Sequence, residues 1–340
     1  MITHSKVSHR PHQPGRGRAF AENQPAPDFE IPPGGRDEVL RLKIGQALND
    51  WTVEEVMRKK LGFSERLLTK YRQTGGVWRN GIPVRLIAHL HRGDLLDIYL
   101  LAAEKPTGIR PESIPIDVVF ADRDYLVVNK PPTLVVHPTG RYQSGTLANA
   151  VAGWWAQQGL VRAVHPMHRI DRQTSGLILF ANSRYAHERL APQVDRHEME
   201  RRYLAIVSGH LEEEEGEIDL PIGRQEALPT RRRVSMQEGV PAVTRWKVRE
   251  RLEEATVVEV QPLTGRTHQI RVHFAAIGHP LIGDRVYGQP SSLIDRQALH
   301  SAVLGFIHPQ TQERLRFEAP LPEDMQRLVE ALRPLPEALQ

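Results

Sequence analysis

The sequence of 340 residues contains no cysteine. A chain without thiols can form no disulfide framework, no Cys-ligated zinc site and no thiol nucleophile. It also lacks an apolar run of membrane-spanning length and an N-terminal signal-peptide pattern. We therefore expect no membrane partner and a cytoplasmic location.

A strong excess of one charge is missing as well. The chain has 45 Lys and Arg against 41 Asp and Glu, a formal net charge of +4. Such a mildly basic balance is compatible with a nucleic-acid partner but does not require one. The length suits two compact domains and a tail, with room for a sizeable core.

Composition divides the chain into four parts. Residues 1–37 hold six prolines and almost no aliphatic pattern, so we expect a disordered tail. Residues 38–101 are predicted to form a small α/β module. Residues 102–115, with three prolines, are predicted to be a linker. A larger domain is predicted over residues 116–330.

Local patterns predict several elements of the small module. Val53, Val56 and Met57 have helical spacing, and Ser64 can cap a second helix. Asn80-Gly81 is typical of a two-residue hairpin turn.

The larger domain shows strand and helix signals of the same kind. Asp117–Phe120 and Tyr125–Asn129 are β-rich runs that predict a hairpin. Ser183 can cap a helix that runs from Arg184 to about His197, and Thr267 can cap another that ends at Gly278.

One stretch combines charge with a buried pattern. Asp171 lies between Arg169 and Arg172, shortly before Gly176, where we expect a turn, and the apolar run Leu177–Ala181. A carboxylate held among cations before a rigid strand can stay ionised and aimed. By charge pattern alone, a surface loop with Asp171 paired to an arginine is the commoner explanation.

The sequence from His168 to Ala181, HRIDRQTSGLILFA, is similar to the catalytic signature of the RluA-type pseudouridine synthases, H-R-L-D-x-x-T-S-G-L followed by an apolar strand. Ile170 replaces the leucine. The segment NKPPTLVVHP resembles another family block, with Thr133 in place of glycine, and GRTHQIRVH at residues 265–273 agrees with a third at every position. The resemblance covers roughly residues 116–320.

This resemblance implies a fold and a reaction. The fold would be α+β, with a long mixed, mostly antiparallel sheet, flanking helices and a central cleft. The small module resembles an RNA-binding module shared with a ribosomal protein. The reaction would detach uracil from its ribose and rejoin it through carbon, which involves neither redox change nor hydrolysis. Neither a cofactor nor a metal is therefore expected.

The resemblance also implies residue roles. Asp171 would be the nucleophile and Arg271 its partner in the cleft. Tyr203 would stack on the flipped-out uracil and assist proton removal from carbon 5. The plainer alternatives are a strand tyrosine in the core for Tyr203 and a helix-surface cation for Arg271.

Basic residues are the candidate RNA contacts. His168 and Arg169 could fill the gap left by the extruded nucleotide, and the run Arg231–Arg233 is predicted to be a phosphate-binding loop, with a solvated turn as the alternative. The full candidate set is His168, Arg169, Arg266, Arg231, Arg232, Arg66 and Arg72.

The sequence thus predicts a monomeric RNA-uridine isomerase. Large-subunit ribosomal RNA is the first expectation for its substrate, and transfer RNA stays open. Also open is whether Asp171 first attacks carbon 6 of the ring or the sugar carbon. The alternatives are a catalytically silent RNA-binding ribosome-assembly factor and a metal-dependent RNA hydrolase. The hydrolase is disfavoured because the His165 and His168 pair has no third ligand at suitable spacing.

Overall fold

The computed structural model describes residues 39–100, 108–140, 142–226 and 228–334. The expected disordered tail lies outside these residues, and so do residues 102–107 of the expected linker.

The described residues form sixteen strands and six α-helices. The strands are β1 (Val39–Lys43), β2 (Val77–Arg79), β3 (Ile82–Pro83), β4 (Leu95–Tyr99), β5 (Asp117–Ala121), β6 (Tyr125–Lys130), β7 (His165–Pro166), β8 (Ser175–Ala181), β9 (Glu200–Ser208), β10 (Glu215–Asp219), β11 (Ile222–Gln225), β12 (Leu228–Val234), β13 (Val243–Arg251), β14 (Ala255–Pro262), β15 (Leu299–Ile307) and β16 (Arg314–Glu318). The helices are α1 (Val53–Glu55), α2 (Glu65–Thr74), α3 (Leu147–Gln157), α4 (Arg184–Asp195), α5 (Gln269–Ala276) and α6 (Glu323–Ala331). A 3₁₀ turn covers Gln46–Leu48, and a π turn, Val56–Lys60, continues α1.

The amino-terminal part forms a four-stranded antiparallel sheet in the order β1-β4-β2-β3. The predicted cap is confirmed, because Ser64 Oγ accepts a hydrogen bond from the Leu67 amide at 3.1 Å. The predicted hairpin turn is also confirmed, with φ of 53° at Asn80 and 77° at Gly81. The buried side chains of this part form a hydrophobic cluster around α2.

The larger part is built on a ten-stranded sheet. Its main path runs β10-β13-β14-β9-β15-β8-β6-β5, with β16 beside β15 and β7 beside β8. β15 and β8 pair in parallel, whereas the other pairings of this sheet are antiparallel. The expectation of a long mixed, mostly antiparallel sheet is confirmed. The β5–β6 hairpin is confirmed with it.

The parallel pair explains Gly176. The expectation of a turn at this residue is wrong, because Gly176 lies inside β8 with φ of 109°. A Cβ built on it would lie 2.2 Å from the carbonyl oxygen of Ser301 in β15. The close approach of two backbones therefore requires glycine here.

Helix α4 joins the two parts. Ser183 caps it as predicted, accepting from the Ala186 amide at 3.1 Å. Tyr185 stacks against Phe63 with ring centroids 4.5 Å apart and donates its hydroxyl to the Leu61 carbonyl at 3.0 Å. The small sheet thus rests on the larger part through a buried aromatic contact.

Candidate active site

A cleft of about 720 Å³ lies beside the centre of the large sheet. Its lining includes the turn between β7 and β8, the start of β9, and the segment from Pro262 to Arg271. Asp171, Tyr203 and Arg271 all face it, although they are far apart in the sequence. The volume lies in the range usual for small-molecule sites.

The Asp171 carboxylate is held at one oxygen. Oδ2 accepts a hydrogen bond from Arg271 Nη1 at 2.9 Å, and 24% of the side chain is exposed towards the cleft. No hydrogen bond to Oδ1 is present within the described residues. The backbone is fixed by a turn in which the Thr174 amide donates to the Asp171 carbonyl at 3.0 Å. One carboxylate oxygen is therefore anchored and the other is free to react.

Lys130 supports this turn from behind. It is fully buried, and its Nζ donates to the carbonyl oxygens of Pro131, Leu134 and Arg172 at 2.9–3.0 Å. Burial and the nearby Arg296 lower the pKa of Lys130 to about 7, while the three carbonyls stabilise its ammonium form. No sequence pattern had given Lys130 a role.

Arg271 is positioned by Asp284, a second residue to which no sequence pattern had given a role. Arg271 Nε and Nη2 donate to the two Asp284 oxygens at 2.7 and 2.8 Å. The Asp284 side chain has no exposed surface. Burial alone would raise the pKa of Asp284, but its hydrogen bonds from Arg271 and from the amides of Val286 and Tyr287 lower it. Arg271 thus reaches the cleft from a rigid bidentate pair.

Helix α5 begins one residue later than its predicted cap requires. The prediction of Thr267 as the cap is wrong. His268 precedes the helix in the left-handed conformation, with φ of 59°, and forms no side-chain cap. Its Nε2 lies 3.8 Å from Asp171 Oδ2, and its Nδ1 lies 2.8 Å from the Tyr287 hydroxyl. Burial lowers the pKa of His268.

Tyr203 lies in β9 with 6% of its surface exposed and lines the cleft. Burial raises the pKa of its phenol, which keeps the hydroxyl protonated at neutral pH. Arg201 also lines the cleft, and no carboxylate pairs with it in the described part of the chain. Arg201 was not among the site residues predicted from the sequence. The two-residue alternation of a strand, which puts positions 201 and 203 on one face, would have revealed it.

His168 lies below the cleft surface. Its Nε2 accepts a hydrogen bond from the Leu179 amide at 3.2 Å, and its buried Nδ1 has no partner among the described residues. Burial and the nearby Arg201 lower the pKa of His168 to about 3. That His168 contacts RNA stays a prediction, and the small exposed surface of the residue gives this prediction little support.

This burial predicts a pH effect on stability. Between pH 6.5, the ordinary pKa of the imidazole, and about 3, folded His168 stays neutral while the unfolded chain takes up a proton. The free energy of unfolding therefore falls as pH falls through this window, by up to about 1.4 kcal/mol per pH unit for one ring. His168→Gln keeps an acceptor for Leu179 and cannot titrate. Its melting temperature should fall less steeply than that of the wild type between pH 6.5 and 5.

The measurement is thermal unfolding by circular dichroism at pH 7, 6.5, 6, 5.5 and 5. His91→Gln removes an exposed imidazole and serves as the matched control. Equal slopes for His168→Gln and the wild type would show that His168 does not stay neutral in the folded protein.

The predicted cations of the cleft rim lie in different settings. Arg169 and Arg266 are exposed and line the cleft, and Arg266 Nε donates to the Pro241 carbonyl at 3.1 Å. The prediction of a loop over residues 231–233 is wrong, because Arg231 and Arg232 lie in β12, paired with β11. Arg232 lies opposite Arg224 in this two-stranded ribbon, and its amide donates to the Tyr287 hydroxyl at 2.8 Å, so the backbone here is held by specific partners.

Two predicted RNA contacts lie on helix α2 of the small sheet. Arg66 is exposed, and no partner is present for it among the described residues. Arg72 is exposed but forms ion pairs with Glu54 and Glu65, both at 2.8 Å. The charge of Arg72 is therefore partly neutralised within the protein, and Arg66 is the more available cation.

Thr133, which replaces the family glycine, keeps the backbone shape that glycine favours. Its φ is 80°, a conformation that is strained for a β-branched residue. Its carbonyl accepts a hydrogen bond from Arg172 Nε at 3.0 Å, next to the turn that carries Asp171. The substitution therefore leaves the turn in place at a cost in strain.

The described residues show neither a metal site nor a membrane-spanning helix. They contain no group of three or more His, Cys, Asp or Glu side chains placed to hold a metal ion. None of their helices combines the length and the apolar character needed to cross a membrane.

Fold and cleft together define an α+β protein that aims an arginine-held carboxylate into a nucleotide-sized cleft. The sequence profile of the family described as RNA pseudouridylate synthase matches residues 124–276. The chain is 41% identical to the uncharacterized RNA pseudouridine synthase YjbO of Bacillus subtilis over 79% of this chain and 95% of that protein. It is 41% identical to the ribosomal large subunit pseudouridine synthase D of Zymomonas mobilis, over 67% of this chain and 76% of that one.

A solved human structure, RNA pseudouridylate synthase domain containing 1, has 27% sequence identity and a TM-score of 0.52, covering 66% of this chain and 97% of that one. The chain belongs to the RluA-type family of RNA pseudouridine synthases, as its signature indicated. It is an isomerase of RNA uridines, and the alternative of a catalytically silent assembly factor is not favoured.

Proposed function

We propose that this synthase modifies ribosomal RNA and that Asp171 is its nucleophile. The observation that carries the proposal is the Asp171 carboxylate in the cleft, with Oδ2 bound to buried Arg271 and Oδ1 free. A carboxylate held in a fixed position loses less entropy when it attacks.

The proposed reaction uses groups that face the cleft. Asp171 attacks the flipped-out nucleotide at carbon 6 of the ring or at the sugar carbon, and the bond between nitrogen 1 and the sugar breaks. Uracil turns, carbon 5 bonds to the sugar carbon, the hydrogen of carbon 5 leaves as a proton, and nitrogen 1 gains one. Asp171 is then released unchanged. Tyr203 stacks on the base, a contact worth about 1–3 kcal/mol.

The proposed RNA contacts surround this cleft. Arg169 and Arg266 lie exposed at the rim, and Arg231 and Arg232 lie on β12 nearby. Cations at such positions bind the phosphate backbone, and together they make the affinity depend on salt. Arg66 lies on helix α2, which packs on the small sheet, and would bind the phosphates of a second RNA segment.

Ribosomal RNA is supported by relatives that carry the name ribosomal large subunit pseudouridine synthase D. Transfer RNA is the other candidate, since loops and flanking contacts decide between RNA shapes. A monomer located in the cytoplasm stays a prediction. Light scattering after gel filtration checks the first part, against a chain mass of 38.6 kDa.

Tritium release from RNA labelled at carbon 5 of uridine tests the proposed substrate. The RNA comes from cells lacking the protein, so the target uridine is unmodified, and ribosomal and transfer RNA are assayed separately. We expect release from the large-subunit ribosomal fraction. Release from transfer RNA alone would identify transfer RNA as the substrate instead. RNA binding without release from any fraction would favour the assembly factor.

A further inference from the structure

His268 has a backbone conformation that needs an explanation. It is a non-glycine residue with φ of 59° at the start of α5, and it makes no side-chain cap there. Residues are held in this sparsely populated region when their surroundings fix them, often at functional sites. The conformation brings its ring into the cleft lining, beside Asp171.

The hydrogen bonds around Tyr287 favour one tautomer of His268. The Tyr287 hydroxyl oxygen accepts a hydrogen bond from the Arg232 amide at 2.8 Å. Its own proton is then free to be donated to His268 Nδ1, which lies 2.8 Å away. A neutral imidazole that accepts at Nδ1 carries its proton on Nε2. The ring is neutral at pH 7 because burial lowers its pKa.

The protonated nitrogen faces the candidate nucleophile. Nε2 lies 3.8 Å from Asp171 Oδ2, the oxygen that already accepts from Arg271 Nη1 at 2.9 Å. This separation exceeds hydrogen-bond length, but catalytic contacts often shorten only when substrate enters. Two donors would then share Oδ2, and Oδ1 would remain without a donor.

We propose that His268 is a positioning residue that donates from Nε2 to Asp171 Oδ2, so that Oδ1 is the attacking oxygen. Tyr287 fixes the tautomer that this donation requires. Because the Arg232 amide also binds the Tyr287 hydroxyl, ribbon strand β12 contributes to the alignment. The inference rests on the proposed role of Asp171 as nucleophile.

A pair of amide substitutions tests this inference. His268→Gln places a side-chain amide near the Nε2 position and can still donate towards Asp171. His268→Asn places its amide near Nδ1, within reach of Tyr287, and tolerates the left-handed backbone. We expect His268→Asn to lower kcat about 10- to 100-fold with KM within about twofold, the loss typical of a hydrogen bond to a charged group. His268→Gln should recover most of the lost rate.

Initial rates of tritium release over a range of ribosomal RNA concentrations give kcat and KM, and thermal unfolding confirms that both variants are folded at the assay temperature. Unchanged kcat in His268→Asn would overturn the inference. Equal losses in both variants would overturn it as well, because the position of the donor would then not matter. Asp171→Asn is assayed alongside: if it retains turnover, the proposed nucleophile itself has failed, whatever His268 does.

Discussion

Asp171→Asn is expected to abolish turnover while RNA affinity stays within a few-fold of the wild type. The amide keeps the shape of the side chain but cannot attack as an anion, and loss of a nucleophile costs on the order of 10⁴-fold or more in kcat. Affinity depends chiefly on cations that contact phosphates, and these are unchanged. Tritium release measures turnover, and filter binding of the same RNA measures affinity.

Asp295→Asn is the matched control, because the same chemical change is made at a carboxylate whose side chain is 99% exposed. It should retain wild-type turnover. Turnover retained by Asp171→Asn would remove that residue as the nucleophile, and a large loss of RNA affinity would show that its carboxylate contributes to binding.

Asp284→Asn is expected to lower both stability and activity. Arg271 would remain buried without its bidentate carboxylate, and breaking a buried ion pair typically costs about 3–5 kcal/mol. Arg271 would also lose its alignment towards Asp171, so kcat should fall on the order of 100-fold at temperatures where the variant is folded. Chemical denaturation gives the first quantity and tritium release the second.

Asp324→Asn separates the two effects. Asp324 binds another buried arginine, Arg296, through two hydrogen bonds of 2.6 and 2.9 Å, and it does not line the cleft. Its loss should destabilise the protein with a much smaller effect on kcat. If Asp284→Asn is destabilised to a similar degree yet keeps wild-type kcat, Asp284 has no part in aligning Arg271.

The sequence correctly predicted those caps and turns that depend only on residues close together in the chain. The caps Ser64 and Ser183 were found because a cap needs only a side-chain oxygen and an amide three residues later. The turn at Asn80-Gly81 was found because these residues adopt positive φ at low cost. The Thr267 cap was wrong because α5 begins where His268 is drawn to Asp171 and Tyr287, and tertiary contacts outweighed the local preference.

Contacts between distant residues were not readable from one sequence. Asp284 binds Arg271, which lies thirteen residues earlier, and Lys130 binds the carbonyl of Arg172, forty-two residues later. The close approach of Gly176 to Ser301 depends on a parallel strand pair that no local pattern specifies.

By itself the sequence determined the family signature around Asp171 and, through that resemblance, the α+β class. It also located the arginine-rich segments, because all of these follow from residue types and their order. Only the tertiary structure decided which carboxylate oxygen is anchored, that Asp284 fixes Arg271, and that His268 and Tyr287 face Asp171. Those facts depend on distances of 2.7–3.8 Å between atoms of separate elements. Such distances arise only when the strands and helices pack together.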